Sequence, residues 1–325
     1  MSTFNEQSNS DRQEFNLLQP KVWEEYIGQQ RIKDNLFILL SAAKKRDRAP
    51  EHLLFYGPPG LGKTTISQLI AKDLNTQIKI TSGPAIDKVG DLASLLSNLQ
   101  DKDILFIDEI HRLNKNIEEV LYPAMESGVL DIIIGKGPSA RVVQLNLPQF
   151  TLIAATTQVS KISAPLRSRF SGGVHRMEYY NQEEIVQILK NSAKKLEIQH
   201  VSEEALKIIA QRARRTPRIA NNLLKRVRDY AEVHGLDINE SVVEDTFKLL
   251  DINEHGLDPV DIKYLNIIKE NFGGGPVGLK TLSAALSEDE STIEEVLEPY
   301  LLQEGFIDKT NKGRVITKKA IDLFF

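Results

Sequence analysis

Residues 57–64 read Gly-Pro-Pro-Gly-Leu-Gly-Lys-Thr, and Thr65 follows. This is a G-x-x-x-x-G-K-[ST] pattern, and its parts divide the work of holding a triphosphate. Gly57, Gly60 and Gly62, with Pro58 between them, form a loop whose backbone N–H groups can curl around phosphate oxygens. Lys63 is placed to reach the β- and γ-phosphates, and Thr64 offers a hydroxyl to Mg²⁺. The carboxylates this chemistry needs stand in Asp103-Ile-Leu-Phe-Ile-Asp108-Glu109. Asp108 ends an apolar run and is placed to hold Mg²⁺ through water. Glu109, one residue on, can polarise an attacking water, which a hydrolase needs and a kinase does not. Another apolar run ends in Thr156 and Thr157, whose hydroxyls suit sensing a γ-phosphate or orienting water. Arg167 and Arg169 lie in Pro165-Leu-Arg-Ser-Arg-Phe170. Arg218 falls in the first turn of a helix, where a cation opposes the macrodipole unless an anion lies nearby, and a nucleotide phosphate would resolve that misfit.

Positioning these groups takes a sheet. Short apolar runs at His52 to Tyr56, Ile78 to Thr81, Ile104 to Ile107, Leu152 to Ala155 and Val174 to Tyr179 alternate with helical patterns. They read as buried parallel strands of an α/β fold. The run before Gly57 feeds the phosphate loop, and Ile66, Leu69, Ile70 and Leu74 put one apolar face on the helix after it. From Asn181 the strands stop. Asn181 with Glu184 makes a capping signature, Ser202 suits a second N-cap, and Thr216-Pro217 opens a helix ending at Gly235, so residues 181–252 read as all-helical. Residues 253–325 read as a helix from Val260 to Asn271, the breaker Gly273-Gly274-Gly275-Pro276, and a helix from Leu279 to Leu286. A helix capped by Ser291 with Glu294 and a hairpin turning at Asn311-Lys312-Gly313 complete a winged helix. Residues 1–16 are polar and read as a disordered tail.

Length and charge bound the rest. A chain of 325 residues accommodates two or three domains, and 41% hydrophobic with 26% charged residues is ordinary globular usage. The absence of cysteine removes disulfides, thiolate metal sites and thiol nucleophiles, and it fits a cytoplasmic location. No run approaches the ~20 apolar residues of a membrane span, and the start lacks a signal-peptide layout. The net charge of −4 hides two acid-free basic runs, Arg212 to Arg228 and Lys309 to Lys319. The first reads as the charged face of an amphipathic helix. The second places Lys309, Lys312 and Arg314 around a turn beside an acidic helix, which suits sequence-independent contact with DNA phosphates.

Taken together, these residues resemble the AAA+ ATPases, and in detail the RuvB family of Holliday-junction branch-migration motors. The resemblance is carried by Glu-Tyr-Ile-Gly-Gln (25–29), the phosphate loop, Asp-Glu-Ile-His-Arg-Leu (108–113) and Gly-Lys-Gly-Pro-Ser-Ala-Arg (135–141). It continues in Pro-Leu-Arg-Ser-Arg-Phe (165–170), Thr-Pro-Arg-Ile-Ala-Asn (216–221), Gly-Gly-Gly-Pro-Val-Gly (273–278) and Glu-Pro-Tyr-Leu (298–301). It implies an AAA+ P-loop domain with a parallel sheet at residues 17–180, a helical lid at 181–252 and a winged-helix DNA-binding domain at 253–325. It further implies that Arg169 is an arginine finger entering a neighbouring subunit's site, Arg218 a second sensor and Thr157 the first. Tyr26, Ile27 and Tyr180 then contact the nucleotide, residues 129–147 form a hairpin docking on the junction-binding partner RuvA, and Lys309 and Arg314 touch DNA. A homo-oligomeric ring, a hexamer, that pumps the arms of a four-way junction in recombination and repair, with RuvC as a further partner, completes that expectation. The sequence departs from the family pattern at Gln158, Ser127-Gly128, Ser171, Lys309 and Lys312, the lysines losing arginine's planar fork.

Two other readings share part of the pattern. A clamp loader or replication initiator uses the same class of ATPase but has a different C-terminal unit. A nucleotide-gated transcription regulator would send the winged helix into the major groove, and there Glu294, Glu295 and Glu298 on the recognition helix would oppose phosphates.

Overall fold

A computed structural model describes residue 14 and residues 16–134 and 141–325; the rest of the expected 1–16 tail and the hairpin tip at 135–140 lie outside the described residues. Two compact units emerge, residues 19–179 and residues 180–325 with residue 14 and residues 16–18.

In the first unit, strands β1 (Leu53–Tyr56), β2 (Ile78–Ser82), β3 (Ile104–Asp108), β6 (Thr151–Thr156) and β7 (Gly173–Arg176) form a parallel sheet in the order β2-β3-β6-β1-β7. The three inner strands are apolar without alternation because helices cover both of their faces. Leu53, Leu54 and Phe55 in β1, Ile104 to Ile107 in β3 and Leu152 to Ala155 in β6 have no exposed surface. The edge strands β2 and β7 are half-buried, which is why their residues are more polar. The register sets Tyr56 beside Thr156 and Ser82 beside Asp108, so the C-terminal ends of β1, β6 and β3 lie side by side. In open parallel sheets ligands bind at those ends.

Strands β4 (Val129–Ile134) and β5 (Arg141–Asn146) form the expected antiparallel hairpin, with Leu130 opposite Leu145. Leu130 is buried in the core beneath the sheet, anchoring the base of the hairpin, whereas Val143 is exposed. The side chains of Ile132, Ile133 and Ile134 lie outside those described.

The second unit begins with four helices, Gln182–Lys195, Glu203–Arg212, Pro217–His234 and Glu240–Leu249. Asn181 and Glu184 form a reciprocal capping box, both bonds at 2.8 Å, and Ser202 accepts the Ala205 N–H. The basic run Arg212 to Arg228 is largely neutralised within this unit. Arg212 stacks on Phe247 and pairs with Glu244, Arg214 pairs with Asp258 and Asp261, and Arg228 pairs with Asp229 and Glu14. Glu14 lies in helical backbone, unlike the disorder expected of residues 1–16.

Residues 253–325 contain the expected winged helix, with three local differences. Asp258, not Val260, opens the first helix, capping Pro259–Asn266 in a box with Asp261. Asp289 precedes the third helix, so Ser291 lies inside it and caps nothing. After the ribbon of β8 (Ile307–Thr310) and β9 (Gly313–Ile316) comes a further helix, Lys318–Phe324, capped by Thr317. Phe324 packs edge-on against Phe306, closing the core around Tyr264, Leu265, Leu282 and Leu301.

Candidate active site

Within the first unit, the phosphate loop leaves β1 and runs into the helix Lys63–Leu74, whose N-cap Gly62 adopts a left-handed conformation, φ 96°. A side chain at Gly62 would also press on Tyr26, with its Cβ 3.0 Å from the tyrosine hydroxyl oxygen. Tyr26 is therefore packed against the loop, and Ile27 follows it, half-buried. Lys63 is buried, and its ammonium donates to the carbonyls of Gly57 and Pro58, each at 2.8 Å. Burial lowers its pKa, while the charges of Glu109 and Asp108 oppose that shift. Thr64 and Thr65 stand in the helix's first turn, half-buried. A basic group, a loop of carbonyls and N–H groups, and a helix N-terminus thus converge at one place.

The carboxylates arrive from β3. Asp108 ends the strand and accepts the Glu109 N–H at 2.9 Å; burial, more than any neighbouring charge, raises its pKa. Such a partly desolvated carboxylate fits a cation partner, as Thr64 across the loop fits a hydroxyl ligand. Glu109 turns out of the strand in the left-handed region, φ 47°, unusual for a residue with a side chain. Gly83 makes room for that turn, because a Cβ there would meet the Glu109 carbonyl oxygen at 2.4 Å.

Glu109 is held by β6. Its Oε2 accepts from the Thr157 hydroxyl at 3.2 Å and, more weakly, from the Thr157 N–H at 3.4 Å. His111, on the turn after Glu109, brings Nδ1 to 3.1 Å from the same oxygen and to 2.9 Å from the buried Thr156 hydroxyl. His111 was not among the residues the sequence singled out. The only signal was its position within Asp-Glu-Ile-His, because Thr156 is 45 residues away.

The sheet thus brings together Lys63, Asp108, Glu109 and Thr157, and Thr64 follows Lys63 in the first turn of its helix. Arg169 lies at the C-terminal cap of the helix Ala164–Ser168, over the Tyr122 ring at 4.3 Å and 3.1 Å from Glu126. Tyr180 and Arg218 belong to the second unit, Tyr180 buried and Arg218 exposed in its helix's first turn.

The winged helix holds a different constellation. Arg314 is buried, and its guanidinium donates to Glu298 and Glu294. It is not a presented cation, and its expected place as a DNA contact is corrected, since the bonds that would grip a phosphate are taken by carboxylates. Glu298 is likewise buried, so the recognition helix does not show three acids to solvent. Lys309 is half-exposed and pairs with Glu294 at 2.9 Å, while Lys312 is exposed at the ribbon's turn.

A parallel sheet in this strand order, a phosphate loop on its inner strand and an Asp-Glu pair on β3, with a helical lid and a winged helix following, define an AAA+ P-loop ATPase. Three family models match in succession: the Holliday junction DNA helicase RuvB P-loop domain at residues 18–177, the RuvB AAA lid domain at 180–253 and the RuvB C-terminal winged helix domain at 254–324. The chain belongs to the RuvB family. A Fusobacterium nucleatum subsp. nucleatum protein described as Holliday junction branch migration complex subunit RuvB is 53% identical over 308 residues, 94% of this chain and 92% of that protein. The solved structure of the Thermotoga maritima RuvB Holliday junction branch migration motor is 44% identical, with a TM-score of 0.86 over 94% of this chain and 97% of the other. A mutant of the same protein gives 0.87 at the same identity and coverage. This chain is an ATP hydrolase and branch-migration motor of that family, and neither the clamp-loader nor the regulator reading is favoured. Among the described residues no helix is long and apolar enough to cross a membrane.

Proposed function

We propose that the chain hydrolyses ATP with Mg²⁺ in a homo-oligomeric ring, a hexamer, that encircles duplex DNA and draws the arms of a four-way junction through itself in the cytoplasm. The carrying observation is that Lys63, Asp108, Glu109 and Thr157 meet at the ends of β1, β3 and β6. In that arrangement Gly57 to Thr65 cradle the phosphates with Lys63 on the outer two, and Thr64 and Asp108 hold Mg²⁺. The metal, when bound, neutralises charge on the phosphate oxygens. Glu109 takes the proton of the attacking water, Thr157 senses the γ-phosphate, and Tyr26, Ile27, Tyr180 and Arg218 contact the nucleotide. Arg169 enters the neighbouring subunit's site, which requires a head-to-tail interface of the kind that closes into rings. The hairpin at 129–147 docks on a junction-binding partner, RuvA, and RuvC acts on the same junction. Lys309 and Lys312 meet DNA phosphates without regard to sequence.

The test is ATP turnover with and without a four-way junction and RuvA. Strong stimulation is expected, and Glu109→Gln is expected to abolish turnover while ATP still binds. Absence of stimulation would remove the junction from the reading, and normal turnover in the Glu109 variant would remove that residue from the chemistry.

A further inference from the structure

All hydrogen bonds to the Glu109 carboxylate among the described residues fall on one oxygen, Oε2, which faces the Thr157 hydroxyl, the Thr157 N–H and Nδ1 of His111. This asymmetry leaves Oε1 as the oxygen able to receive a proton. His111 is nearly buried, with a side chain 7% exposed, and its Nδ1 lies between Glu109 Oε2 at 3.1 Å and Thr156 Oγ1 at 2.9 Å. A bare lone pair at Nδ1 would point at a carboxylate lone pair. The network therefore assigns the proton to Nδ1, which donates toward both oxygens. Thr156 is held in turn, since its hydroxyl oxygen accepts the Gln158 N–H at 2.9 Å.

We propose that His111 is a positioning residue for hydrolysis, fixing Oε2 of Glu109 to the end of β6 so that Oε1 keeps its aim at the attacking water. The proposal rests on the reading of Glu109 as the residue that polarises that water. The need for it follows from Thr157. If the Thr157 hydroxyl turns to a γ-phosphate, Glu109 loses the 3.2 Å bond from that hydroxyl and keeps from Thr157 only the long 3.4 Å bond of the backbone N–H. His111 then remains as the anchor. Because Thr157 directly follows Thr156, the last residue of β6, the bond to Thr156 keeps carboxylate and sensor in one frame.

The experiment is steady-state ATP hydrolysis by the full-length protein with junction DNA and RuvA, alongside binding of a fluorescent ATP analogue and thermal unfolding. Asparagine places an amide nitrogen where imidazole has Nδ1, whereas glutamine places it nearer Nε2. His111→Ala is expected to lower kcat about tenfold to a hundredfold with KM and analogue affinity within about twofold, the cost of a misaimed group. His111→Asn should recover most of that loss, and His111→Gln should not. Wild-type kcat in His111→Ala overturns the proposal. So does equal loss in the Asn and Gln variants with a matching fall in melting temperature, because the ring would then serve packing alone. Glu109→Gln, assayed in parallel, separates the two levels. If it is inactive while His111→Ala is fully active, only the positioning role fails. If it turns over normally, the reading of Glu109 itself fails.

Discussion

Arg314 Nε donates to Glu298 Oε1 at 2.6 Å while its Nη2 donates to Glu298 Oε2 at 3.0 Å, a two-pronged bond inside the winged helix. Nη2 also reaches Glu294 at 3.0 Å, and the Tyr264 hydroxyl donates to Glu298 Oε1 at 3.0 Å. The arginine thus ties the second ribbon strand to the recognition helix and lets the Glu298 carboxylate sit in the core, while Glu294 stays at the surface. Removing one partner from such a buried pair strands the other charge, typically at about 3–5 kcal/mol. Arg314→Ala is therefore expected to lower the stability of this domain by that order in chemical denaturation, and Arg314→Lys to recover it only in part for want of the planar fork. Unchanged stability in the alanine variant would return Arg314 to the list of DNA contacts.

With Arg314 engaged inside, the cations that the ribbon offers to the proposed DNA contact are the lysines. Lys312 is exposed at the turn, and Lys309 pairs at the surface with Glu294. Each phosphate neutralised adds roughly −0.9 to the slope of log affinity against log salt on B-form DNA. Lys312→Ala is expected to flatten that slope by about one per engaged subunit, equally on unrelated duplexes, without changing stability. An effect confined to one sequence would mean that the ribbon reads bases.

The difference between Lys312 and Arg314 marks what the sequence makes legible. The inner strands could be read because burial on both faces demands unbroken apolar runs such as Leu53 to Phe55. Helix starts at Asn181 and Ser202 could be read because caps act within three residues. The phosphate loop could be read because its chemistry is local. Glu298 and Arg314 stand 16 residues apart and meet only once the ribbon folds back on its helix, so counting acids and bases along the chain assigned both to the surface. His111 and Thr156 meet for a similar reason, because β6 inserts between β3 and β1, an order the run of strands along the chain does not disclose.

Arg169 stacks on Tyr122, and the Tyr122 hydroxyl lies 3.0 Å from Ser163, which caps the short helix that ends at Arg169. Ser163 donates to the buried Glu118 at 2.6 Å. The guanidinium is thereby braced, mostly covered and paired with Glu126, with its Nη1 donating to the Pro165 carbonyl; under the proposed role it exchanges these partners for a neighbour's phosphates, and arginines acting so contribute roughly 10³ to 10⁵ in rate. Arg169→Ala and Lys63→Ala subunits are each expected to be inactive alone and to regain ATPase activity when mixed, where an intact loop meets an intact finger. Mixed rings inactive at every ratio would argue against action across the interface.

Asp261 supplies a dependence on pH. It has no exposed surface, and its carboxylate lies 2.5 Å from Arg214 Nη2 and accepts the Asp258 N–H at 3.0 Å. Burial pushes its pKa up to about 6 despite the attraction of Arg214, and the Asp258 charge adds to the rise. A folded-state pKa above the ordinary value of 3.8 means that the folded protein binds more protons than the unfolded one between about pH 4 and pH 6. In that window this group's contribution to stability falls as pH rises, the reverse of an ordinary surface ion pair. Denaturant unfolding at a series of pH values isolates the effect when wild type is compared with Asp261→Asn. The wild type is expected to lose stability relative to the variant from pH 4 to pH 6 and to run parallel to it above pH 7. Parallel curves throughout would show that Arg214 keeps Asp261 ionised across the whole range, with attraction outweighing burial.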